Sequence, residues 1–231
     1  MGVPADLEGL GLAWARFAPT LAIVPAFGLR ALPTAARGIL GLALGAAIYP
    51  ALAPIVAERS APFFVLALEQ VVLGLPVALA AAIPLWAATM AGGLVDAVRG
   101  AQDGTGLAVV EGQKATPIAI LLSLLASTVF LATGGPARVA TALASTVMPA
   151  HPLLGAANAL TAGIGLAIAI GAPLLAAAVV LEIAFALIAR AASPAQVHAL
   201  LAPLRALGIL AVVAVVLDRL GELIAIAVRS G

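Results

Sequence analysis

The run FFVLALEQVVLGLPVALAAAIPLWAATMAGGLV, residues 63–95, holds a single charged residue, Glu69. A bilayer core about 30 Å thick is crossed by roughly 20 apolar helical residues, so this segment has length to spare for a membrane helix. It also contains Pro76 and Pro84. Proline removes a backbone donor and crowds the preceding turn, so the helix is expected to bend or break there.

Working outward with the same ruler gives six hydrophobic segments, at 10–29, 38–57, 63–95, 117–134, 153–189 and 206–228. The fifth is also over-long and holds its own break signal, Gly171 with Pro173. The fold expected is all-α: a polytopic membrane protein of one domain over 1–231, with broken or kinked third and fifth segments and helix hairpins. Composition agrees, with 64% hydrophobic and 9% charged residues and a mean hydropathy of +1.23. Soluble domains use about 25% charged residues.

The absence of cysteine removes disulfides and thiolate metal sites, and His151 and His198 are too far apart for a zinc motif. A net charge of +1 leaves no electrostatic footprint for nucleic acid. No cofactor is implied. The acidic start, MGVPADLEGLGLAW, lacks a basic leader, so the first helix is read as retained. Six crossings would place Arg30, Arg37, Arg99, Lys114, Arg190 and Arg205 on one side, which the positive-inside rule makes cytoplasmic, against Arg59 and Arg138 opposite.

Past Val95 the chain changes character. The stretch GGLVDAVRGAQDGTG, 92–106, puts Asp96, Arg99 and Asp103 beside apolar tracts and is punctuated by Gly100, Gly104 and Gly106. Such glycines lower the backbone cost of unusual dihedrals, so the third helix is expected to end near Asp96 and Arg99 and release a loop over 100–116. Asp96 and Arg99 can equally form an i, i+3 ion pair at that helix end, extended by Asp103. Gly41 and Gly45 form a GxxxG pair, and Asp218, Glu222, Ala225 and Arg229 share one helical stripe in the last segment.

Catalytic signatures are missing: there is no HExxH, GxSxG or P-loop, and Asp103 to Gly106 only superficially looks like an aspartic-protease loop. Three acids sit in or beside apolar helices, Glu69, Asp96 and Glu182. Ionisable groups in lipid cost about 2.5–3.5 kcal/mol at a helix centre and mark function by default. A helix-to-helix hydrogen bond accounts for Glu69 and Glu182 as well as a transport role does.

The order of these features resembles the SctT/FliR family of type III secretion and flagellar export-gate proteins. Arg16, then Pro25, Phe27 and Gly28, then Leu32, Pro33 and Arg37 follow that family's opening, and Glu69 and Gly74 fall at its next helix. Gly93, Asp96, Arg99 and Gly100 match the pattern of the virulence-type branch, which the flagellar branch typically lacks. In the second half Pro173, Glu182, Arg190, Ala192, Val197 and Pro203 match outright, with Arg205 where Lys is usual. Ser193, Pro194, Gln196 and His198 depart from the pattern, and the Asp-Pro often found before the fourth helix is missing.

The resemblance implies a non-enzymatic structural and gating subunit in the bacterial inner membrane. Its expected partners are SctR- and SctS-like subunits, an SctU-like switch protein, secreted proteins in transit and membrane lipid. Gly100, Asp103, Gly104, Gly106 and Glu111 are then expected in a gating loop, and Glu69, Asp96, Arg99, Glu182, Arg190, Gln196, Pro203 and Arg205 at structural or inter-subunit contacts. The alternatives are a flagellar export-gate subunit and, from another class, a small-solute or proton-coupled secondary transporter, for which broken helices are the supporting feature.

Overall fold

A computed structural model describes residues 5–27, 33–57, 61–98, 116–145, 151–191 and 198–230. Among the described residues every regular element is helical: α1 (Ala5–Ile23), a 3-10 turn (Pro25–Phe27), α2 (Thr34–Ala57), α3 (Phe63–Val98), α4 (Pro117–Ala132), α5 (Gly135–Ala144), α6 (Pro152–Ala191) and α7 (His198–Ser230). The all-α expectation holds.

The long third and fifth segments are not broken. α3 runs 36 residues through Pro76 and Pro84, and α6 runs 40 residues through Pro173. Proline deletes one helical hydrogen bond, and a helix supported by neighbours along its length can absorb that loss. Pro84 is itself buried in the bundle. The break lies elsewhere: α4 and α5 meet at 63°, where Gly134 takes the left-handed φ of 73°.

α3 is the central post, packed against α1, α4 and α6. Its contact faces are built from Ala78, Ala82, Ala87, Ala88 and Ala91, all fully buried. Alanine lets helix backbones approach closely, which is how helices associate when lipid is as apolar as the side chains. α6 lies parallel to α3, since Gly163 meets Ile83 and, about two turns further along both helices, Gly171 meets Ala91. The GxxxG pair works in the same way: Gly41 and Gly45 of α2 make room for Trp14 of α1.

Two helices, Phe63–Ala97 and Leu153–Ala191, are long and apolar enough to cross a membrane, and a third span results if α4 and α5 count as one. Six full crossings are therefore more than the described helices show. α7 buries Ile209, Val213, Leu220 and Ile224 along one face. On the other side of α7 Arg219 donates to Glu222 at 3.0 Å across an exposed pair, and Asp218 and Glu222 of the expected polar stripe are exposed.

Candidate functional site

Helix α4 begins at Pro117, and Thr116 before it supplies no side-chain cap. A helix start leaves its first N–H groups without internal partners, and proline at the first position has none to offer, so Ile118 and Ala119 carry the first needy donors. Asp96, fully buried on α3, fills that need. Its Oδ2 accepts from the Ile118 N–H at 2.7 Å and from the Ala119 N–H at 3.4 Å. A carboxylate at a helix N-terminus also complements the helix dipole.

One turn earlier on the same face, a Cβ on Gly92 would stand 2.6 Å from both the Cα and N of Ala119. α3 and α4 thus touch backbone to backbone, and the glycine is what allows the Asp96 carboxyl to reach the amides. Among the described residues α4 takes up one oxygen of the Asp96 carboxyl, and the helix-end ion pair expected for Asp96 falls on Arg99. Arg99 lies outside the described residues.

The far end of the bent pair meets a charge of the opposite sign. α5 ends at Ser145, whose backbone is extended, and Arg16 of α1 donates from Nη2 to the Ser145 carbonyl oxygen at 3.0 Å. Arg16 is only 6% exposed. A cation at a helix C-terminus is the dipole-favoured arrangement, worth up to about 2 kcal/mol when partly buried. The Arg16 backbone also sits against α3, where a side chain on Gly74 would collide with the Arg16 carbonyl.

Between these ends the elbow is stiff. Gly134 N–H donates to Leu131 O at 3.2 Å and Arg138 N–H to Gly134 O at 3.1 Å. Thr133 Oγ1 donates to Val129 O at 2.8 Å and accepts from Arg138 at 3.5 Å. A Cβ on Gly135 would come within 2.6 Å of the Phe130 carbonyl oxygen. Arg138 therefore belongs to a helix, not to the external loop expected for it. Alanine at Gly134 should cost about 1 kcal/mol for its positive φ, and alanine at Gly135 more, measured as loss of thermal stability.

The other expected residues are scattered. Glu69 is half-buried on α3 and Glu182 half-buried on α6. Glu69 and Asp96 stand about 40 Å apart along α3 at 1.5 Å per residue, too far for direct contact. Arg190 is exposed in the last turn of α6. Pro203 is exposed and Arg205 follows it inside α7, which starts at His198, so neither is a loop residue as expected. The side chain of Arg205, together with Gly100, Asp103, Gly104, Gly106, Glu111 and Gln196, lies outside the described residues.

Sequence reasoning passed over Arg16 and Ser145 as partners. The available signal was an arginine inside an apolar helix, at AWARFAP, which has to find an acceptor. Among the described residues no group of three His, Cys, Asp or Glu could hold a metal ion. Asp96 accepts hydrogen bonds from backbone amides, which makes it a fastening for α4.

No protein of curated function matches the chain. The sequence model of the family described as Bacterial export proteins, family 1, matches residues 7–230, so the chain belongs to that family, the SctT/FliR export-gate membrane proteins, and is one of its non-catalytic subunits.

Proposed function

We propose that the chain is the SctT-type subunit of a virulence-type secretion apparatus in a bacterial inner membrane. It assembles with SctR- and SctS-like subunits and an SctU-like switch protein around the path of secreted proteins. The observation that carries the hetero-assembly is helix length. At 36 residues and 40 residues, α3 and α6 extend about 54 and 60 Å at 1.5 Å per residue. A bilayer core of about 30 Å covers roughly half of either.

Their outer faces nevertheless stay apolar, with Phe64, Leu68 and Leu94 exposed on α3 and Ile164, Val180 and Leu187 on α6. Apolar surface beyond the lipid has to be covered by protein. The third and fifth segments, which were the transporter alternative's supporting feature, are continuous helices, and the break found lies between α4 and α5. The break between α4 and α5, where a transporter would present half-helix termini to substrate, is instead tied up by hydrogen bonds of Thr133, Gly134 and Arg138 within the chain itself.

The test is co-expression of the tagged chain with its neighbouring SctR- and SctS-like subunits, then native mass spectrometry in mild detergent. One copy of the chain in a discrete hetero-complex is the expected result. A monomer or homo-oligomer beside expressed but unbound partners would overturn the proposal. Gly93, Asp96, Arg99 and Gly100 support the virulence-type branch over the flagellar one, and rescue of a strain lacking the flagellar subunit, but not of one lacking its virulence counterpart, would reverse that choice.

Two further roles belong to the same proposal. Residues 100–116, rich in glycine, contribute to closing the conduit, so deleting part of this stretch should give an ion leak in assembled complexes; unchanged conductance and secretion would count against it. Arg205 keeps the positive charge of the family's lysine while offering a planar fork of donors to a partner carboxylate or carbonyl. Arg205→Ala should lower the yield of complex severalfold while membrane insertion is unchanged.

A further inference from the structure

The two buried charges at the ends of α4–α5 invite a joint reading. α4 has 16 residues and α5 has 10, lengths of about 24 and 15 Å. With a bend of 63° the second helix continues forward rather than doubling back, so the ends of the pair stand roughly 33 Å apart. The scaffold has the same measure. Asp96 marks one level on α3, and Gly74, against which the Arg16 backbone lies, marks the other, again roughly 33 Å away at the helical rise.

α4–α5 therefore runs back along α3 over about one bilayer thickness, fastened at its positive dipole end by a carboxylate and at its negative end by a guanidinium. The elbow between them leaves little freedom, with Thr133, Gly134 and Arg138 hydrogen-bonded through it and Gly135 pressed on Phe130.

We infer that Asp96 and Arg16 are a coupled pair of positioning residues, which hold α4–α5 as one rigid strut on α3 and α1 through opposite charges at its two ends. Releasing either end loosens both, because the locked elbow carries the displacement across. This inference stands on the chain's own contacts and does not depend on which secretion system the gate serves.

Hydrogen exchange of the assembled complex, followed in peptides covering α4, α5 and α7, tests it with Asp96→Asn, Arg16→Gln, the double variant and Arg16→Lys. Asp96→Asn keeps an acceptor oxygen and removes the charge. Each neutral variant should speed exchange about tenfold in α4 and in α5 together while leaving α7 unchanged. The double variant should be no worse than the more severe single one. Arg16→Lys should hold exchange near the parent rate, a rescue that a purely space-filling arginine would not permit. Effects confined to the altered end, an additive double variant, or Arg16→Lys as loose as Arg16→Gln would each overturn the coupling. Should Arg16→Gln fail to assemble, Asp96→Asn alone decides: faster exchange limited to the first turn of α4, with α5 unchanged, is the overturning result.

Discussion

Replacing Gly92 by valine should separate α4 from α3 and abolish recovery of the assembled complex. A Cβ at this position would lie 2.6 Å from Ala119 Cα and N and 2.7 Å from Ile118 C. These are backbone atoms at the start of a helix, so no side-chain rotation relieves the clash. Overpacking of a well-filled interior costs typically 1–3 kcal/mol and sometimes more. With two helix axes forced apart, and the Asp96 hydrogen bonds stretched in the same step, about 3 kcal/mol or more is expected for valine and about 2 for alanine.

The neighbouring glycine supplies the control. A Cβ on Gly93 would meet nothing within 4 Å, so Gly93→Ala removes only the conformational cost of glycine in a helix and should be neutral or stabilising by up to about 1 kcal/mol. Thermal unfolding of the purified complex measures both. Equal tolerance at the two positions would mean that α4 does not sit on α3 as described.

Much of this arrangement was legible in the chain because hydrophobic runs in a membrane protein report helices directly. Each expected segment overlaps a helix, though of the described helices only two or three are long and apolar enough to span, and Asp96 stood out because a carboxyl among Ala, Val and Leu needs a partner. The proline signals misled in a specific way. Pro76, Pro84 and Pro173 lie on helices supported by neighbours, where a missing hydrogen bond is tolerated, whereas the real break at Thr133–Gly134 carries a modest Thr-Gly-Gly-Pro signal at the margin of a segment.

Partnerships were the illegible part. Nothing in the spacing of Arg16 and Ser145 announces contact, since 129 positions separate them and only the return of α4–α5 along α3 brings them together. The helix ends were likewise underestimated: α7 begins at His198 and runs through Pro203, a proline that the helix absorbs at the loss of one hydrogen bond. Charges at helix ends are visible in a sequence, but the helix whose end they serve is a property of the tertiary fold.

The second large effect is expected at Asp96 itself, where the nature of the replacement decides the size. Asp96→Leu is nearly isosteric and fits an apolar site, yet it leaves the Ile118 and Ala119 N–H groups facing hydrocarbon. A buried donor without an acceptor costs about 1–3 kcal/mol, so the pair should lose about 3–5 kcal/mol and the complex should fail to assemble at physiological temperature. Asp96→Asn retains an acceptor oxygen at the same reach and forfeits the charge opposite the helix dipole, about 1–2 kcal/mol. The predicted order in thermal unfolding of the complex is parent, then asparagine, then leucine. This order runs against hydrophobicity, which would favour leucine in the interior of a membrane protein. If leucine were tolerated as well as asparagine, water or another group would have to satisfy the amides, and the carboxyl of Asp96 would not be what seats α4. If the order holds, the one fully buried acid of the described chain is explained by the backbone it serves, a demand set by Pro117 and Thr116, which leave the helix start without a cap of its own.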